Sequence, residues 1–131
     1  MGRSELREHI FKMVFGVEFN DIEHLDEQLE LYVDQLVGVS EKDRTYLLEK
    51  AKQIIEHAPE IDAMINEHTT GWKTSRMNKV DLSILRLAVY EMKWDEDVPV
   101  KVAINEAVEL SKRFSGDEGP AFINGVLGKL V

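Results

Sequence analysis

The chain has 131 residues, of which 25 are Asp or Glu and 16 are Lys or Arg, so its formal net charge is −9. It has no cysteine, which excludes disulfide bonds, Cys-ligated zinc and a cysteine nucleophile. Its apolar stretches are far shorter than the roughly 20 residues that cross a bilayer, and residues 1–8 lack the apolar core of a secretory signal. We therefore expect a single cytoplasmic domain that does not bind a membrane.

The N-terminal half has the hydrophobic spacing of amphipathic helices, with a period of about 3.6 residues. This spacing predicts helices over residues 4–18 and 25–38. A third helix is predicted to begin after Ser40, whose hydroxyl is a favourable cap. Pro59 interrupts the third pattern, which predicts either a kink or a short fourth helix that continues to His68.

The C-terminal half opens with residues 69–77, which have no helical period and are interpreted as a hinge between two subdomains. After Asn78, apolar side chains occur nearly all round the helical period, which indicates a central helix that is buried on most sides. Pro99 and Pro120 each predict the start of a further helix, because proline is well tolerated in a first helical turn.

Together these elements predict an all-α protein of six to seven helices in two packed three-helix bundles. We assign residues 1–70 to the N-terminal bundle and residues 71–131 to the C-terminal bundle of one domain. The last helix carries three small residues near one face, Ala121, Gly125 and Gly128. Because a glycine inside a helix costs about 1 kcal/mol relative to alanine, we expect a neighbouring helix to approach this face closely.

The negative charge is concentrated in the middle of the sequence. Residues 18–70 have a net charge of −10, whereas residues 1–17 have +1 and residues 71–131 are neutral. An acidic total argues against general nucleic-acid binding, which depends on contacts between Lys or Arg and phosphates. It leaves room for a local basic surface contributed by the ends of the chain.

The best candidates for such a surface are Arg3, Arg7 and Lys12 on the first helix. The spacing places Arg3 and Arg7 on one face and Lys12 further round. The alternative interpretation is an ordinary solvated face, on which Glu8 pairs with Lys12 four residues later.

No motif in the sequence indicates an enzyme. No two of the four histidines have the i, i+4 spacing that brings two imidazoles to one metal ion, and no glycine-rich phosphate loop is present. We therefore predict no catalytic residues, no metal site and no cofactor.

Three stretches in the C-terminal half resemble motifs of the NusB family of bacterial transcription antitermination factors. They are VDLSILRLAVYE at residues 80–91, VPVKVAINEAVELSKRF at residues 98–114 and FINGVL at residues 122–127. In this order and spacing the motifs are highly specific, while residues 18–70 match the family only in their helical pattern. The resemblance implies the family's fold of two three-helix bundles and a non-catalytic, RNA-binding role.

The resemblance also implies partners and site residues. Family members bind the boxA element of ribosomal RNA leader transcripts together with the ribosomal protein NusE, and join the RNA polymerase complex that suppresses termination. RNA contacts are expected from Arg3, Arg7, Lys12 and Phe122, the last of which either stacks on an unpaired base or lies in the core. Asp81 stands where the family has an acid facing the ribosomal protein, and it is alternatively a helix cap.

The sequence also departs from the family pattern. Ser4 and Glu5 stand where other members often have arginine, which implies weak RNA binding by the chain alone. The alternative function is an RNA-free helical scaffold or homodimer, whose acidic residues 18–70 bind basic proteins. The sequence ends at Val131, directly after the last predicted helix, so we do not expect the methyltransferase domain to which a related module is fused.

Overall fold

The structure is a computed structural model that describes residues 1–19 and 22–131, which form helices and no β-strand. The six α-helices are α1 (Arg3–Val17), α2 (Leu25–Asp34), α3 (Glu41–His68), α4 (Lys79–Trp94), α5 (Val100–Phe114) and α6 (Gly119–Gly128). Short 3-10 turns at Ile22–His24 and Thr74–Arg76 precede α2 and α4. The all-α prediction is confirmed for these residues, and the arrangement in two three-helix bundles stays a prediction. None of the helices described has the length and apolar composition needed to cross a bilayer.

Side chains and prolines mark several helix starts, as the sequence predicts. Ser40 Oγ accepts a hydrogen bond from the Asp43 amide at 3.1 Å and so caps α3. Asn78 Oδ1 accepts one from the Asp81 amide at 2.8 Å and caps α4 in the same way. Pro120 lies in the first turn of α6, where its missing N–H removes no helical hydrogen bond.

Helix α3 is a single helix of 28 residues that continues through Pro59, so the predicted alternative of a separate fourth helix is wrong. Proline in a helix interior costs about 3 kcal/mol, because it lacks an N–H and its ring crowds the preceding turn. Burial on the apolar side of the helix offsets this cost, since Ile54, Ile61 and Ile65 are all fully buried.

The described chain divides into two compact units, Met1–Glu56 and His57–Val131, and α3 contributes residues to both. The sequence predicts a different division, after residue 70, which stays a prediction. In the first unit, a hydrogen bond of 2.8 Å joins His9 Nδ1 and the Tyr32 hydroxyl. Burial raises the pKa of Tyr32 and the Glu8 carboxylate raises it further, so the phenol stays protonated in this contact.

In the second unit, α4 is buried on most sides, which confirms the prediction from its sequence. Its buried apolar side chains include Leu82, Ile84, Leu85, Leu87, Ala88 and Val89. The Arg86 guanidinium forms a two-point ion pair with Asp62 on α3. The distance from Nε to Oδ1 is 3.0 Å, and the distance from Nη2 to Oδ2 is 2.8 Å. This pair fixes the lateral position of α4 against the C-terminal part of α3, because a forked guanidinium matches a carboxylate in one orientation.

Candidate nucleic-acid interface

The loop between α3 and α4 is tied to the last turns of α3 by polar side chains. The buried Thr69 hydroxyl lies 2.7 Å from the Ile65 carbonyl oxygen and 3.0 Å from that of Trp72. Asn66 accepts a hydrogen bond from the Thr74 amide at 2.9 Å and donates one to the Thr74 hydroxyl at 3.3 Å. A segment without helical periodicity therefore has a defined backbone path.

This backbone path presents Trp72 at the surface. Gly71 has φ of +82°, a left-handed conformation that residues with a Cβ adopt at a cost, and it turns the chain just before the indole. Trp72 is 52% exposed and meets the half-buried Phe122 of α6 edge to face. The ring centroids are 5.0 Å apart and the planes make an angle of 63°.

Trp72 and Phe122 border an open cavity of about 780 Å³. Its other lining residues come from the loop before α4, the start of α4 and the turn between α5 and α6: Gly71, Lys73, Arg76, Met77, Asn78, Asp81, Ser115, Gly116, Asp117, Glu118 and Gly119. The lining combines two cationic side chains, three carboxylates and an aromatic wall. Such a surface suits a flat, partly apolar group with polar edges better than it suits an isolated phosphate.

Asp81, predicted to face a protein partner, lies at this cavity but is only 6% exposed. Its Oδ1 accepts a hydrogen bond from the Ser115 hydroxyl at 2.6 Å, and its Oδ2 accepts one from the Asn78 side-chain amide at 2.8 Å. The bond from the Asp81 amide makes Asn78 the residue that caps α4, and the Asp81 carboxylate holds the Asn78 side chain in place. The contact with a protein partner stays a prediction.

The three basic residues predicted on α1 have different environments. Arg3 is exposed, Arg7 is buried with 7% exposure, and Lys12 is intermediate. Lys12 Nζ lies 3.1 Å from the Glu8 carboxylate, which is the i, i+4 pair expected for a solvated face. Of the three, Arg3 is the most accessible to a phosphate.

The small residues of α6 are not packed against a neighbouring helix, so that prediction is wrong. Ala121, Gly125 and Gly128 are exposed, and a Cβ added at either glycine would meet no atom within 4 Å. The buried side of α6 carries Ile123, Val126 and Leu127 instead. The small residues therefore form an open helix face, and packing among the described residues does not explain the cost of Gly125.

The sequence predicts that Trp72 lies in the hinge, and it predicts no functional role for this residue. The available signal was a large aromatic residue in a polar, non-periodic segment, where no helix face needs it for a core. Its partner Phe122 is 50 positions further along the chain, so only the folded structure brings the two rings together. Within the residues described, no group of three or more His, Asp or Glu side chains has the arrangement of a metal site.

A protein-family model described as the NusB family matches residues 4–131. The transcription antitermination protein NusB of Agathobacter rectalis is 57% identical over 131 residues, which is the full length of both chains. Among solved structures, NusB of T. maritima superposes with a TM-score of 0.87 at 30% identity, covering 99% of this chain and 90% of that one. A chain from a crystal structure of the antitermination factors NusB and NusE with double-stranded RNA has a TM-score of 0.81 at 21% identity, covering 96% and 92%.

Proposed function

Because the chain belongs to the NusB family of transcription antitermination proteins, we propose that it binds boxA RNA together with NusE and joins the RNA polymerase antitermination complex. Family membership confirms the prediction that the protein is not an enzyme. Antitermination acts on a transcript as it is made, so we place the protein in the cytoplasm. The crystal structure of NusB and NusE with double-stranded RNA, which shares this fold, is consistent with the proposal.

The observation that carries the RNA part of the proposal is the Trp72–Phe122 pair at an open cavity. Sequence-specific RNA recognition mostly uses unpaired bases, which stack on aromatic side chains and present their edges to polar groups. The half-exposed indole offers such a stacking surface, and the polar lining offers groups that pair with base edges. The lining has three carboxylates against two cationic side chains, so its balance of charge is negative, which favours an uncharged base over the phosphate backbone at this position.

We assign a separate role to α1, where Arg3 and Lys12 contact RNA phosphates. Each such contact adds affinity that falls as the salt concentration rises, and it reads no sequence. Arg7 is buried, so we assign it to holding the first turns of α1 in place rather than to a phosphate contact.

The NusE contact is supported by charge. Ribosomal proteins are basic, and this chain has a net charge of −9, so the two attract each other over distance. Asp81 is almost fully buried and both of its oxygens accept hydrogen bonds, so we assign this attraction to the exposed acids of the chain. A direct contact between Asp81 and NusE is tested separately below.

The proposal is tested by fluorescence anisotropy with a labelled boxA RNA and a scrambled RNA of equal length, with and without saturating NusE. We expect preference for boxA and a reciprocal coupling of RNA and NusE binding of about 1–3 kcal/mol. Equal affinity for both RNAs in the presence of NusE would contradict the proposal and favour the RNA-free scaffold.

A further inference from the structure

The cavity that we assign to RNA is bordered by Asn78, Asp81, Ser115 and Gly119, here named the Asp81 latch. The first three are joined by hydrogen bonds through Asp81, and Gly119 lies against Ser115. Both carboxylate oxygens of Asp81 are engaged, one by the Ser115 hydroxyl at 2.6 Å and the other by the Asn78 amide at 2.8 Å. Asp81 is in the first turn of α4, whereas Ser115 directly follows the last residue of α5. The latch therefore joins the start of α4 to the turn that leads into α6.

Gly119 fits this latch only because it has no side chain. A Cβ at position 119 would lie 2.1 Å from Ser115 Oγ and 2.5 Å from Ser115 Cβ, distances that no real pair of atoms tolerates. It would also come within 3.7 Å of Asp81 Oδ1. The hydroxyl that donates to Asp81 thus occupies the space that a side chain at position 119 would need.

The latch is directly connected to the stacking residue. Gly119 begins α6, and Phe122 follows three residues later on the same helix, with its amide bonded to the Glu118 carbonyl at 3.1 Å. The position of the first turn of α6 therefore determines where the Phe122 ring stands relative to Trp72. A turn released from Asp81 would let this helix start shift, and the two rings would lose their fixed spacing.

We propose that Ser115 and Gly119 are positioning residues that hold the aromatic pair in its RNA-binding arrangement before RNA arrives. The inference rests on the proposed function and names how the stacking site is kept in place. Preformed geometry raises affinity because less conformational freedom is lost on binding. Neither residue needs to touch the RNA for this role.

The test uses Ser115→Ala and Gly119→Ala in the full chain with Trp94→Phe, so that Trp72 is the only tryptophan. Ser111→Ala is the matched control, because it removes a buried hydroxyl that donates to the Val108 carbonyl of its own helix, at 2.6 Å. We measure boxA affinity, acrylamide quenching of Trp72 in the free protein and the melting temperature.

We expect Ser115→Ala to weaken boxA binding by about three- to tenfold, which is the range for one net hydrogen bond. Gly119→Ala is expected to weaken it at least as much, and both variants are expected to raise Trp72 quenching. Ser111→Ala is expected to lower the melting temperature without changing affinity or quenching. Melting temperature alone therefore does not decide the result.

Two outcomes would overturn the inference, and they differ in whether the stacking site is also contradicted. If Ser115→Ala and Gly119→Ala bind boxA as the parent does while Trp72→Ala and Phe122→Ala lose affinity, the latch has no positioning role and the stacking site stands. If Trp72→Ala and Phe122→Ala also bind normally, the stacking site itself is wrong.

Discussion

Two aromatic pairs in this protein have almost the same geometry but arise in different ways. The rings of Phe15 and Phe19 have centroids 5.0 Å apart at an angle of 67°, and those of Trp72 and Phe122 are 5.0 Å apart at 63°. The first pair is four residues apart, with Phe15 in the last turns of α1 and Phe19 in the turn just after it, where the Phe19 amide bonds to the Gly16 carbonyl at 3.3 Å, so local chain geometry brings the rings together. The second joins distant segments beside a cavity. Ring geometry therefore does not identify a site, whereas convergence of distant residues on accessible space does.

The largest expected effect separates these two pairs directly. Trp72→Ala or Phe122→Ala should weaken boxA binding by about 1–3 kcal/mol, which is the range for loss of one stacked base. Phe19→Ala is the matched control, because Phe19 is 64% exposed and has an equivalent ring contact. Anisotropy titrations at fixed salt measure all three. Equal losses in all three variants would mean that exposed aromatics act non-specifically.

Asp81→Lys tests whether the cavity end of α4 is also a protein surface. The lysine would lose both hydrogen bonds to the carboxylate and place a charge in a nearly buried position, so we expect a loss of about 2 kcal/mol or more in unfolding free energy. Thermal melts measure this loss. NusE binding is measured at a temperature where the variant is folded, and unchanged NusE affinity there would show that Asp81 stabilises the start of α4 and does not contact NusE.

Variants of Arg3 and Arg7 on α1 test phosphate contacts separately from base stacking by the Trp72–Phe122 pair. Arg3→Ala should leave unfolding unchanged and reduce the salt dependence of RNA binding by about one unit of slope. Arg7→Ala should instead cost about 1–3 kcal/mol in unfolding free energy, because it removes a buried polar group together with its contacts. Urea melts and titrations at several salt concentrations distinguish them. If Arg7→Ala reduces the salt dependence of RNA binding without lowering stability, Arg7 contacts RNA phosphates after all.

The smallest expected effect compares two glycines on α6. Gly125→Ala should raise the unfolding free energy by about 0.5–1 kcal/mol, because the added methyl group enters open space and alanine favours the helix. Gly119→Ala should lower it, because its methyl group collides with Ser115. Urea melts of both variants give the signs. A destabilising Gly125→Ala would mean that this helix face is not open in solution.

The sequence predicted those parts of the fold that depend on neighbours along the chain. The caps at Ser40 and Asn78 involve residues three positions apart. The burial of α4 on most sides follows from the apolar residues that occur all round its helical period. The extent of α3 beyond Pro59 was harder to predict, because burial on the apolar side of the helix outweighs a local helix breaker.

The site was less predictable, because it depends on contacts between distant residues. Phe122 had two equally good interpretations from sequence. The structure places it half-buried beside Trp72, and its contact with RNA stays a proposal. Arg3 and Arg7 share a helix face by spacing, yet packing buries one of them and exposes the other. The open side of α6 was misread for the same reason, since a sequence does not state which helix face has a neighbour.

The hydrogen bonds around the loop before α4 also have a kinetic consequence. Thr69 and Asn66 tie the backbone on both sides of Trp72, so this loop does not have to fold when RNA binds. A protein that must first reorganise shows an observed association rate that levels off as ligand concentration rises. Here the observed association rate, followed by tryptophan fluorescence in a stopped-flow instrument, should instead increase in proportion to RNA concentration. The encounter with the RNA, and not a rearrangement of the loop, should then be the rate-limiting step of binding.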